Sequence, residues 1–218
     1  MPRLGYLLIA LFCLTAPLHA EEAGYDLIFR TGTLADQKEG ATLRYGREII
    51  NAAHPEPGQR RRSEAVLLSI AADDKALLRA EIDGKHRPIG GFPASVGNPL
   101  AMYFMEATVR NLAAVTGGSP FYIRNRVKEA LIKGTAVTQG IGRFDGADVA
   151  TKIITMYPFR DGESRRLMGP FGALELRFTV SDAVPGWYLS LAAATPDQGD
   201  TTGAARLYSD RIAAEPSK

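Results

Sequence analysis

The alternation of residue types over Gly172–Ser181 constrains the fold of this chain more than any other feature. Leu174, Leu176, Phe178 and Val180 alternate with Glu175, Arg177 and Thr179. A helix would scatter these side chains around its circumference. A strand puts the apolar ones on one face and the polar ones on the other, as in an antiparallel sheet with one wet side. Val184-Pro185-Gly186 follows, and Pro and Gly suit the central positions of a type II turn. Trp187, Leu189 and Leu191 are then expected to share a face of a returning strand.

The same reading extends along the chain. Asp-Gly dipeptides favour tight hairpin turns, and two stand between strand-like runs. Asp145-Gly146 joins Thr135–Phe144 to Ala147–Tyr157, where Val149, Thr151, Ile153, Thr155 and Tyr157 fall on one face. Asp83-Gly84 joins Ala76–Ile82 to Lys85–Ile89, and Asp73-Asp74 is a turn after a strand at Ala65–Ala71. Tyr25–Leu34 with Ala41–Asn51 reads as an opening pair, and Ala204–Ile212 as the last strand. The sum is roughly nine strands with short connections, which favours antiparallel order. Loops are expected at 52–62, 158–171 and 194–203, where Pro, Gly and charge collect.

One stretch departs from the strand period. Asn98 and Pro99 form a helix start, Gly117-Gly118 a stop, Ser119-Pro120 a second start and Gly134 a second stop. The expected fold is therefore mainly β, of the α+β kind. It is a curved antiparallel sheet or partly open β-barrel, with a helical pair inserted at about 98–134 and packed on the concave face. The first helix opens with Leu100, Ala101, Met102, Tyr103, Phe104 and Met105, apolar on every side. Such a helix is buried all round or offers a greasy face to a partner or lipid. In the second, Ile123, Val127, Ala130 and Leu131 make one stripe, and Arg124, Asn125, Lys128 and Glu129 cover the rest.

Residues 1–20 read as a cleavable secretory signal peptide. Arg3 supplies the positive start and Leu7 to Leu14 an apolar stretch too short to span a bilayer. The sequence then passes to His19-Ala20 before a polar mature chain from Glu21. Residues 21–218 are expected to form one globular domain in the periplasm, with no transmembrane span after cleavage. Cys13 is the only cysteine and would leave with the signal, removing disulfides, a thiol nucleophile and thiolate metal ligands. Of the 26 Lys and Arg, 25 remain without Arg3, against 24 Asp and Glu. That near balance gives no field for nucleic acid. The content of 45% hydrophobic and 23% charged residues sets the chain apart from disordered ones.

Catalytic signatures are sparse. His54 and His86 have no second histidine at metal-ligand spacing, so no metal and no cofactor are expected. No serine lies in a G-x-S-x-G elbow, and Gly140-Ile141-Gly142 reads as a strand bulge, not a phosphate loop. The chain is accordingly read as non-enzymatic. A hydrolase is the least favoured class. Two groups are candidate contact residues. Met102, Tyr103, Phe104 and Met105 are candidates for an apolar ligand, because Met adapts to irregular partners and an open curved sheet leaves a concave pocket. Arg60, Arg61 and Arg62, in a polar loop, are candidates for contact with an anionic surface.

This plan is like that of envelope lipid and lipoprotein carriers, a likeness of architecture alone. The leading expectation is a protein that binds an apolar, lipid-like ligand or an envelope partner between sheet and helix. The alternative is a protein–protein interaction or envelope-assembly module with a solid core.

Overall fold

A computed structural model describes residues 24–52, 61–197 and 206–216, with the side chains of residues 61–63 outside that description. The signal-peptide reading, His54 and Arg60 fall outside the described residues.

The turn residues take the conformations their types suggest. Asp83 and Gly84 have φ of 50° and 70°, and Asp145 and Gly146 of 49° and 77°. Two successive positive φ angles match the right-handed twist of the flanking strands. Asp73 and Asp74 do the same at 57° and 55°. These turns build two meanders. The first runs β1 (Thr42–Asn51), β2 (Arg61–Ala71), β3 (Lys75–Ile82) and β4 (Lys85–Pro93). The second runs β5 (Ala136–Phe144), β6 (Ala147–Met156), β7 (Glu175–Val180), β8 (Tyr188–Ala194) and β9 (Tyr208–Glu215). Pairing of β9 with β1 fuses them into one curved, unclosed nine-stranded sheet, in the order β4-β3-β2-β1-β9-β8-β7-β6-β5.

This order explains the helical insert. The chain leaves the sheet at one edge, β4, and must re-enter at the other, β5. Strands lie about 4.8 Å apart, so the crossing is about 38 Å on a flat sheet. Helices α2 (Leu100–Thr116) and α3 (Pro120–Lys133) make it. They measure about 26 Å and about 21 Å at about 1.5 Å per residue. Each buries one stripe on the inner sheet face: Leu100, Phe104 and Leu112 from α2, Ile123, Val127 and Leu131 from α3. Across from them lie Tyr45, Val66, Leu68, Leu78, Ile154, Leu176, Phe178, Leu191 and Ile212, all buried. Arg124 of α3 ties the pair through Glu106 of α2 at 2.9 Å.

Several expectations need correction. Tyr25–Leu34 is not a strand: α1 (Gly24–Ile28) is a short helix followed by turns. Leu27 and Ile28 are both buried. Their carbonyls accept hydrogen bonds from Trp187 Nε1 at 2.8 Å and from the Tyr188 hydroxyl. The register slips between Thr179 and Val180, so Val180 faces Tyr188 while Thr179 faces Ser190. Leu189 is thereby turned away, and Tyr188, Leu191 and Ala193 form the buried set of β8. Gly140 and Gly142 mark no bulge, for β5 and β6 pair in unbroken register. A Cβ at Gly142 would run into Leu189 and Thr151, so the glycines clear space for their neighbours. The stretch 158–171 is not a plain loop: it holds α4 (Gly162–Met168) and the start of a 3-10 turn, Gly169–Ala173. Arg61 and Arg62 belong to strand β2, opposite Ile50 and Ile49, not to a loop. The last strand runs Tyr208–Glu215, and Ala204 and Ala205 of the expected strand lie outside the described residues.

Candidate functional site

The candidate site is the seam between α2 and the inner sheet face. Its start is fixed by Asn98, whose Oδ1 accepts from Leu100 N at 3.0 Å and so satisfies one of the free amides of the first helical turn. Asn98 Nδ2 donates to the Tyr45 hydroxyl and to the Gly186 carbonyl, both at 2.8 Å. The helix start is thus pinned to β1 and to the β7–β8 turn. Burial pushes the Tyr45 phenol well above its ordinary range, although the Asn98 bond opposes this.

Mid-seam, the inner face carries charge where the alternation calls for apolar residues. Arg47, Glu64 and Asp210 sit in phase with Tyr45, Val66 and Ile212 and are buried. Arg47 Nε and Nη2 make a bidentate pair with Asp210 at 2.9 and 2.6 Å. Nη1 donates to the Tyr103 hydroxyl of α2 at 2.9 Å and reaches Glu64 at 3.4 Å. Asn111, two turns further along α2, donates to Asp210 Oδ2 at 3.3 Å and to the Tyr208 hydroxyl at 3.4 Å. Burial works against the Arg47 charge, but the Asp210 bonds and charge, with Tyr103 and Glu64, together outweigh it and hold the guanidinium above its usual pKa. A charge removed from water this way needs its partners. The cluster therefore clamps α2 to the sheet at two points, Tyr103 and Asn111.

The four apolar candidates do not converge on one spot. Phe104 is fully buried and meets Phe178 edge-on, with centroids 5.8 Å apart. Tyr103 and Met105 are partly buried at the margin of the core, and Met102 points outward, 53% exposed. Burial raises the Tyr103 phenol pKa, while neighbouring Arg47 lowers it. Strand register places the start of β2, with Arg61 and Arg62, at the same end of the sheet as the β6–β7 connection. His86 is half-exposed, 3.3 Å from Glu81. Among the described residues, no group of three His, Cys, Asp or Glu is placed to hold a metal.

Two of the surface clefts lie away from this seam. One of about 320 Å³ runs between residues 30–37 and 181–187, where the Arg30 guanidinium covers the Trp187 ring at 4.3 Å and pairs with Asp182 at 2.7 Å. The other, of about 300 Å³, is bounded by Tyr157, Arg160, Arg165, Gly172, Ala173 and Pro196. Neither is lined by Met102, Tyr103, Phe104 or Met105.

The polar clamp was missed by the sequence reading. Its signal was present: three charged residues, one basic and two acidic, at inward positions of neighbouring strands. Among the described residues, no helix is long and apolar enough to cross a membrane. No protein-family model and no curated protein matches this sequence. Among solved structures, the chain is similar to the lipoprotein LppX of Mycobacterium tuberculosis, at 10% identity and a TM-score of 0.34, over 91% of this chain and 99% of that one.

Proposed function

We propose that this chain is an exported, non-enzymatic binding protein of the bacterial periplasm that takes an apolar, lipid-like ligand between α2 and the inner face of the sheet. The observation that carries the reading is the placement of α2. It lies across the apolar concave face of a sheet whose edges, β4 and β5, do not pair with each other. Its described hydrogen bonds to the strands run through side chains alone: Asn98 at its start, Tyr103 and Asn111 along its length. A helix held this way can shift as a unit without breaking a strand ladder. Tyr103 and Met105, at the seam margin, are the first side chains an entering acyl chain would meet.

Native mass spectrometry of the full chain purified from the periplasm tests this. The expected spectrum contains a species heavier than the polypeptide by a lipid-sized mass, lost on organic extraction. A bare polypeptide, unchanged after incubation with lipid vesicles, overturns the reading.

The second reading, an interaction or envelope-assembly module with a solid core, is favoured by the Phe104–Phe178 contact, two fully buried rings packed edge-on in the seam. Its signature in the same experiment is an unliganded chain in a stable complex with another protein.

A further inference from the structure

Helix α4, in the β6–β7 connection, carries an unusual set of side chains. Arg160 just before it, and Arg165 and Arg166 within it, are exposed, and Leu167 beside them is 62% exposed. No ion pair among the described residues involves any of the three arginines. The acidic neighbours are otherwise engaged, with one exception. Asp161 pairs with Arg126 at 3.4 Å, and Glu175 pairs with Arg177 at 2.7 Å and accepts from the Tyr157 hydroxyl at 2.7 Å. Glu163 alone is exposed without an ion pair. The patch is thus positive on balance, although the whole chain is close to neutral.

The patch also has shape. Arg160 covers the face of Tyr157 at 5.7 Å, and with Arg165 it lines the cleft of about 300 Å³. Gly172 lets the following 3-10 turn close on α4, since a Cβ there would fall 2.5 Å from the Arg165 carbonyl oxygen. The Tyr122 hydroxyl donates to Ser164 Oγ at 3.0 Å, which brings the first turn of α3 against α4, with Phe121 next to it 74% exposed. Unpaired cations around exposed apolar side chains are what an interfacial surface needs: the apolar groups enter the headgroup boundary and the cations meet lipid phosphates.

We propose that this face docks on an anionic lipid bilayer, with a lipid phosphate held in the cleft between Arg160 and Arg165 and with Leu167 inserted beside it. Charge complementarity selects an anionic surface. The protruding leucine and a cleft of headgroup size select lipid over an acidic protein. Docking does not depend on whether a ligand occupies the α2 seam.

Co-sedimentation of the mature chain with vesicles of phosphatidylcholine, with and without phosphatidylglycerol, tests it. The chain partitions onto the anionic vesicles only, and less so as salt shortens the Debye length. Arg165→Gln with Arg166→Gln weakens partitioning about thirtyfold, from about a fivefold effect per basic side chain near an anionic surface. Glu163→Gln strengthens it by about fivefold, which a merely structural role for α4 would not produce. Leu167→Ser weakens it with no change of charge. Arg143→Gln, at the opposite end of the sheet, leaves it unchanged. Equal binding to neutral vesicles, equal loss from Arg143→Gln, or no binding to lipid in the absence of protein partners overturns the proposal. None of these outcomes bears on the native mass result, so the two readings fail separately.

Discussion

Replacing Phe104 by Ala perturbs the seam at its centre. The ring is fully buried and stands edge-on to Phe178 at 5.8 Å. Deleting a buried phenyl ring costs about 3–5 kcal/mol when the surroundings do not collapse. About 0.5–1.5 kcal/mol of that belongs to the aromatic pair. In a domain of this size each kcal/mol moves the melting midpoint by about 2–4 °C, so a fall of about 10 °C is expected. Urea unfolding followed by far-ultraviolet circular dichroism gives the free energy directly, with an unchanged m value if the native fold survives. The deletion leaves a dry apolar void, and small apolar probes bind such voids. Benzene should therefore recover part of the lost stability by mass action. A loss below about 1 kcal/mol at unchanged m would refute the reasoning, because α2 would then not be anchored through Phe104.

Other perturbations probe the clamp and the turns. Asp210→Ala leaves the Arg47 guanidinium buried without its bidentate partner and should cost about 3–5 kcal/mol in chemical denaturation. Tyr103→Phe removes one bond to that guanidinium, and its smaller cost, about 1.5–3 kcal/mol, should come with faster amide exchange in α2. Gly186→Ala places a Cβ 2.6 Å from Leu43 Cδ1 and 2.7 Å from the Tyr45 hydroxyl at a φ of 75°, so it should destabilise by more than the about 1 kcal/mol of the backbone alone. The Glu106 carboxyl is held below its usual range by its hydrogen bond from Arg124, against the opposing effect of burial. A depressed folded pKa means stability present above the unfolded carboxylate range and lost as pH falls through the folded value. The pair is half-exposed and screened by solvent, so Arg124→Gln should lower stability only slightly at neutral pH and not at all in acid, as chemical denaturation at the two pH values checks.

What the sequence revealed depended on whether local chemistry or tertiary packing decided each element. Asp-Gly turns and the Leu174–Val180 alternation are local signals, and the strands they define are found where expected. The caps at Asn98 and Ser119 are local as well, and both make their backbone bonds. Tyr25–Leu34 misled because Tyr25, Leu27 and Phe29 alternate like a strand. Only Trp187 and Tyr188, distant in sequence, supply the donors that make a short helix there worthwhile. The slip at Leu189 arises in the pairing of β7 with β8, which no single strand encodes. Helix α4 is short, and its basic residues masked it as loop. The spread of Met102 to Met105 around α2 follows from the helix period itself: four consecutive residues turn through most of a circle, so they could not all face one ligand.

The account rests on an apolar chain entering between α2 and the sheet. Photolabelling the full chain with a fatty acid that bears a diazirine near its terminal methyl tests this most directly, with the adducts located by peptide mass spectrometry. The account predicts adducts on Tyr103, Phe104 or Met105 and on inner-face residues such as Phe178 and Leu191. Adducts confined to the outer surface, at Phe121 or Leu167, or none at saturating probe, would contradict it.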